Sequence, residues 1–325
     1  MTSTATNRAI PSRRWDGIDI ARGIAICAMV VYHFGWDLSY LRLIPVDLIQ
    51  DPAWRWFART IAGSFLILVG VGLTMAHANG FRGWAFLKRL AKIAGAAALV
   101  TIATYLAFPE SYIFFGILHC IALSSVLALP FLRLPAWIAA VSALLCLSLP
   151  WIATAPLWDR PWLDWLGLGA SEPVTNDYVP VFPWFGLVLI GIVIGRALLL
   201  PRNAAPTAPV GAKGPGTRAL VWAGRKSLPI YLIHQLVLFG ALYGVLQLVG
   251  PNRTAEAQPF IQQCEANCLT SNSNVRVCRS VCSCVVDRLR EDDTWRKVMA
   301  GTVGPDDQTR ISRTAQQCLR SVPPA

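Results

Sequence analysis

Seven apolar stretches dominate the chain and restrict it to a membrane fold. They run over residues 18–38, 56–78, 88–108, 112–131, 134–153, 178–200 and 228–250. Each is close to the ~20 residues that an α-helix needs to cross a bilayer. Only 14% of the 325 residues are charged and 54% are hydrophobic, whereas soluble domains carry about 25% charged residues. The expected fold is therefore all-α: a polytopic membrane helix bundle of about seven spans, with a small C-terminal, helical, cysteine-rich periplasmic segment. The third stretch is the weakest, since Lys88, Arg89 and Lys92 open it. The first does not read as a cleaved signal peptide: it holds Asp19 and Arg22 and lacks a small-residue cleavage site.

Charge sets the expected orientation. With the N-terminus in the cytoplasm, inner segments hold 14 Lys and Arg residues and outer loops hold four, namely Arg42, Arg55, Arg59 and Arg160. That asymmetry obeys the positive-inside rule, and seven spans then leave the C-terminal tail outside. Residues 1–250 carry 19 basic and 10 acidic residues, against 10 and 8 in 251–325. The basic excess thus lies in short membrane loops rather than on one basic face, which argues against a nucleic-acid partner. The partner implied is the lipid bilayer.

The cysteines give a second line on the tail. Cys27, Cys120 and Cys146 lie in spans, while Cys264, Cys268, Cys278, Cys282, Cys284 and Cys318 crowd the tail. An even set in a short polar segment suits disulfides in an oxidising compartment. Each Cys-x3-Cys pair puts two thiols on one helix face. Twin pairs can staple a helical hairpin turning at Ser271-Asn272-Ser273-Asn274, and Cys284 with Cys318 can close the rest, among many possible connectivities. A metal site is the weaker alternative, because the tail has no histidine and its x3 spacing differs from the usual zinc pair. No metal is expected. Residues 201–217, rich in Pro, Gly and Ala, read as a linker. The loop at 155–177 sets Trp158, Trp162 and Trp165 among acids. It reads either as an interfacial aromatic belt or as a lid whose rings stack on sugars.

Ionisable residues within spans are the candidates for chemistry, because they are costly there. Arg22 and His33 are eleven residues apart on the first span. Three helical turns place both on one stripe, about 16 Å apart. All four histidines, His33, His77, His119 and His234, fall in or beside spans. A neutral imidazole can take a proton from an attacking amine or hydroxyl, or carry an acyl group itself. Arg22 presents a fork suited to phosphate, and Asp19 can fix its rotamer. The bland alternatives are packing histidines and a snorkelling arginine. A transporter or proton-coupled channel would also use such a track, but no internal repeat marks one.

Four blocks carry a resemblance to a known family: Asp19-Ile-Ala-Arg22-Gly-Ile-Ala25 with Tyr32-His33-Phe34, Phe115-Gly-Ile-Leu-His119-Cys120, Asp177-Tyr-Val-Pro-Val-Phe-Pro-Trp184, and Gly224-Arg225-Lys226-Ser-Leu-Pro-Ile-Tyr-Leu-Ile-His234-Gln235. Over about residues 13–250 the chain resembles the bacterial branch of the heparan-α-glucosaminide N-acetyltransferase catalytic family, within the transmembrane acyltransferases. The resemblance implies transfer of an acyl group, acetyl above all, from cytoplasmic acyl-CoA to an acceptor across the membrane. The acceptor would be an extracytoplasmic glycan or another small amine or alcohol. It also implies essential roles for Arg22 and His33. The animal lysosomal enzyme resembles this chain less at His33, where it carries Asn. The resulting expectation has three parts: residues 1–15 as a cytoplasmic N-terminal segment, 16–250 as a transmembrane acyltransferase-like domain, and 251–325 as a periplasmic disulfide-stapled tail. The cell inner membrane is the expected site. His33 and His119 are the expected catalytic residues, and Arg22, His234, Arg225 and Lys226 the expected holders of acetyl-CoA or another acyl-CoA. A homodimer is the oligomer considered.

Overall fold

The computed structural model describes residues 15–199, 214–270 and 274–321. The N-terminal segment up to residue 14, most of the Pro/Gly/Ala linker and the hairpin residues Ser271, Asn272 and Ser273 lie outside the described residues. The described chain is helical: α1 Asp16–Tyr40, α2 Pro52–Ala76, α3 Gly83–Ala107, α4 Ile117–Leu127, α5 Ala136–Ala153, α6 Val181–Leu199, α7 Pro215–Arg225, α8 Ser227–Val249, α9 Arg253–Leu269, α10 Val275–Arg290, α11 Thr294–Ala300 and α12 Pro305–Ser321. Six of these, α1, α2, α3, α5, α6 and α8, are long and apolar enough to cross a membrane. The protein is a multi-pass membrane protein.

The fourth apolar stretch departs from the expected single long helix. Its helix α4 has 11 residues, about 16 Å, roughly half of a ~30 Å hydrocarbon core. Gly116, in extended backbone, precedes the helix, and Pro130 opens a 3₁₀ turn, Pro130–Leu132, just after it. Pro130 lacks the N–H that would continue the helical ladder. The segment nevertheless meets both ends of α6. At one end the Ile117 amide donates to Asp177 at 2.9 Å, and the Cys120 thiol faces the Pro180 carbonyl, just before α6. At the other end Arg196, in the last turn of α6, donates to the carbonyls of Phe131 and Leu134. A short helix plus a turn thus runs alongside α6 from its first turn to its last.

By compactness the chain forms two units, divided between Leu238 and Phe239, with residues 35–49 belonging to the second. In the first unit α6 packs along both α2 and α5. Its core gathers Leu66, Val69 and Leu73 of α2 with Phe185, Val188 and Ile192 of α6 and Ile117 and Cys120 of α4. Gly70 and Gly191 make the α2–α6 contact possible. A Cβ on Gly70 would overlap the Val188 carbonyl, and one on Gly191 the Ile67 carbonyl. Helices in lipid gain by such close backbone approach, since apolar burial alone gives them little preference for one another.

The second unit is a small disulfide-stapled helical body. Asn252 and Asn274 cap α9 and α10, each side chain accepting from two backbone amides. The disulfides are Cys264–Cys282 and Cys268–Cys278, which join α9 to α10, and Cys284–Cys318, which ties α10 to α12. Twin Cys-x3-Cys pairs staple a hairpin, as their spacing allows. Val281, Val285, Val286 and Leu289 of α10 form the core with Ala257 and Trp295. Residues 35–49 join this unit: Tyr40 meets Phe239 at 6.1 Å, and the Asn252 amide donates to the Arg42 carbonyl at 2.9 Å.

Candidate active site

Helix α1 carries both ends of the track read from the sequence. At its start, Asp19 lies between two arginines. Arg22 Nη1 donates to Asp19 Oδ1 at 3.1 Å, and Arg225 Nε donates to Asp19 Oδ2 at 2.9 Å. Arg225 Nη2 also reaches Asp16 at 3.0 Å. The acceptor carboxylates, Asp19 foremost, hold the Arg225 guanidinium above its usual range. Backbone proximity permits this network: a Cβ on Gly224 would overlap the Asp19 carbonyl, and one on Gly23 the Leu220 carbonyl. Helix α7 therefore lies directly against α1, and Arg22 and Arg225 share one carboxylate.

Three turns along α1, His33 meets His234 of α8 edge-to-face, with ring centroids 4.9 Å apart. The contacts of His234 fix its tautomer. Its Nδ1 is 2.7 Å from the Tyr231 carbonyl. A carbonyl only accepts, so Nδ1 carries the proton and Nε2 keeps a lone pair. That Nε2 is buried and has no hydrogen-bond partner among the described residues. A shielded basic nitrogen beside a second imidazole can receive a proton in a reaction. Tyr32 edges onto His33 and stacks on Trp54, walling the pair on one side. On another side, His234 and Lys226 line an apolar cavity of about 570 Å³ together with Val30, Trp222, Pro229 and Ile233. The structure thus brings His33 and His234 together, and puts Lys226 on a wall that His234 shares.

His119 is placed differently. The Gly116 amide donates to its Nδ1 at 3.2 Å. Its Nε2 is 3.1 Å from Thr101 Oγ1, and that hydroxyl donates to the Ile113 carbonyl at 2.8 Å. The Thr101 proton is thereby committed, so Nε2–H donates to Thr101. Both ring nitrogens are engaged, and the ring caps the start of α4. Asp177 completes this cap through Ile117. Burial pushes the Asp177 carboxyl up to about 6, partly offset by the bond from Ile117. The fourth histidine, His77, bonds the Leu73 carbonyl at 2.9 Å and stacks on Phe81 at the end of α2.

The tryptophan-rich loop places its rings in different surroundings. Trp162 is exposed, as a belt residue would be. Trp165 packs on Phe115, whose ring lies next to His119. The Tyr178 hydroxyl donates to the Asp164 carbonyl at 2.6 Å, and burial with the nearby acids pushes it up to about 12.

Sequence reasoning gave no role to Asp177, Thr101 or Trp54. Asp177 had a signal, since it opens the block 177–184, but its partner is 60 residues away in sequence. A search of curated proteins and a search of solved structures each find no match. The family model described as "Heparan-alpha-glucosaminide N-acetyltransferase, catalytic" matches residues 14–236. That range takes in the Asp19 network, the imidazole pair and the α4 cap, and the chain belongs to this family of membrane-bound acetyltransferases.

Proposed function

We propose that the protein moves an acetyl group from acetyl-CoA on the cytoplasmic side to an extracytoplasmic amine or hydroxyl, such as a glycan or a lipid-linked sugar. The observation that carries this reading is the His33–His234 pair, with one imidazole nitrogen unprotonated, buried and without a hydrogen bond among the described residues. In the reaction the acceptor's nitrogen or oxygen attacks the thioester carbonyl. The carbon–sulfur bond breaks, the acceptor's proton passes to imidazole, and imidazole returns it to the leaving thiolate. His33 acts as base or acyl carrier, and His234 Nε2 receives the proton from His33 or from the acceptor. Arg22 at the other end of α1, with Arg225 and Lys226, holds the donor's phosphates. His119, with both nitrogens engaged, positions α4 and the loop above it rather than exchanging protons.

The orientation belongs to the same proposal. Loop charge favours a cytoplasmic N-terminus. The segment 117–134 accompanies α6 end to end, which supports an odd number of crossings. Three disulfides in the second unit suit an oxidising compartment. Together these support an inner-membrane protein with a periplasmic tail.

Purified protein in nanodiscs, given radiolabelled acetyl-CoA and an amino-sugar acceptor, tests the chemistry. His33→Ala and His234→Ala are each expected to lower transfer by about 10²–10⁴-fold, the usual contribution of a positioned acid–base group. Label retained on wild type but not on His33→Ala would identify an acyl-enzyme. Turnover unchanged in both variants would reject the imidazole pair as the reacting centre.

A further inference from the structure

Helix α8 forms one wall of the cavity of about 570 Å³ beside the imidazole pair. The lining residues follow an order along that wall. Lys226 directly precedes α8 and stands eight residues, about 12 Å, before His234. Val237 and Leu238 lie up to one turn, about 6 Å, beyond it, and both line the same cavity. The space therefore continues past the imidazole on the side away from Lys226. There its walls are hydrocarbon, with Val30 of α1 adding to Val237 and Leu238.

An acetyl group has one methyl beyond its carbonyl, and a methyl leaves most of this volume unfilled. Unfilled apolar space forfeits the contacts that its walls could make. Ile233 and Val237 are 56% and 59% exposed, so the protein itself leaves this wall uncovered. A sugar acceptor placed there would lose hydration without gaining hydrogen bonds, whereas a hydrocarbon chain gains by the same transfer. The charged end is also suited to one ligand. Lys226 forms no ion pair among the described residues, while its neighbour Arg225 is held by Asp16 and Asp19. The cavity thus offers a cation at one end, an imidazole part-way along and hydrocarbon beyond.

We infer that the apolar space beyond His234 receives the acyl chain of the donor, and that the protein transfers straight acyl groups such as butyryl and hexanoyl in preference to acetyl. This rests on the acyl-CoA reading, which sets phosphates at Lys226 and the thioester at His234. Acetyl is then the shortest donor the site accepts. The step balances as it does for acetyl. The carbon–sulfur bond breaks, the carbonyl carbon bonds to the acceptor's nitrogen or oxygen, and the acceptor's proton passes through imidazole to the leaving thiolate. Only the chain on the carbonyl carbon differs. A methylene covered on all sides gains about fourfold in affinity. The open wall covers a chain in part, so the step from acetyl to hexanoyl should gain roughly tenfold or more.

The full-length protein in phosphatidylcholine nanodiscs is given acetyl-CoA, butyryl-CoA or hexanoyl-CoA with an amino-sugar acceptor, and kcat/KM is read for each donor. Wild type should favour hexanoyl over acetyl by roughly tenfold or more, with butyryl between. Val237→Trp, whose indole fills the space, should lose that preference. The ratio of the two donors is taken within each protein, so a change in total activity does not affect it. Equal kcat/KM for all three donors in wild type would overturn the pocket and leave acetyl transfer standing. A hexanoyl preference that survives Val237→Trp would trace to partition of the donor into the bilayer, and would also overturn it. No transfer from any donor would reject the acyl-CoA reading and the pocket with it. A hexanoyl-CoA analogue with a diazirine at its chain end needs no variant to fold. After irradiation of wild type, peptide mass spectrometry should find the label on Val30 or on residues 233–238. Label confined to α3, α5 or the lipid would count against the pocket.

Discussion

Asp177 holds its carboxyl near 6 because burial disfavours the charge more than the single amide bond from Ile117 favours it. A carboxyl raised in the folded state binds protons that the unfolded chain, at about 3.8, has already lost. Between those two values the folded state holds more protons, so stability falls as pH rises through this window, and the whole penalty applies above it. Two pKa units correspond to about 3 kcal/mol. Asp177→Asn keeps an oxygen that can accept from Ile117 and has no charge to bury. It should therefore melt higher than wild type at pH 7.5, with the gain vanishing toward pH 4. A melting temperature that does not depend on pH in either protein would refute the account. Residues differ in how far their sequence reveals them. Arg22 and His33 were legible because helical spacing alone puts them on one stripe. His234 beside His33 was not, because only the packing of α8 against α1 creates that pair.

At the level of elements, close backbone contacts matter more than apolar area. Gly191 against Ile67 and Gly70 against Val188 hold α2 to α6. Gly191→Ala should push the helices apart and destabilise the first unit by about 1–3 kcal/mol, the usual cost of overpacking. Thermal melting in detergent reads this, and an unchanged melting temperature would show that α6 is not held there. Six of the seven apolar stretches were correctly legible as long helices from hydropathy. The fourth was not, because hydropathy averages over Gly116 and Pro130, the residues that cut α4 to 11 residues. The signal was present as a proline near the end of the stretch.

For the whole molecule, the proposed periplasmic tail has a direct test by labelling. After mild reduction, the thiols of Cys284 and Cys318 should react with a membrane-impermeant maleimide added to the periplasmic side of intact spheroplasts. Labelling only after the membrane is broken would place the tail in the cytoplasm and reverse the proposed direction of transfer. The tail's helicity and a disulfide-stapled hairpin were legible in the spacing of its cysteines, whereas the choice of partner for each thiol across the hairpin was not, because spacing alone allows many connectivities. The membership of residues 35–49 in the same unit was not, since nothing local in that loop points to residues 239–325.

That membership has a consequence for synthesis. The loop that carries Arg42 leaves the ribosome long before Phe239 and Asn252, its partners in the second unit. At ordinary elongation rates the delay is roughly 10–40 s. Through that interval the nascent chain must insert α2 to α6 while the loop waits without its partners. The second unit is thus assembled from two stretches of chain separated by the whole of α2 to α7, and it can close only once both have been made.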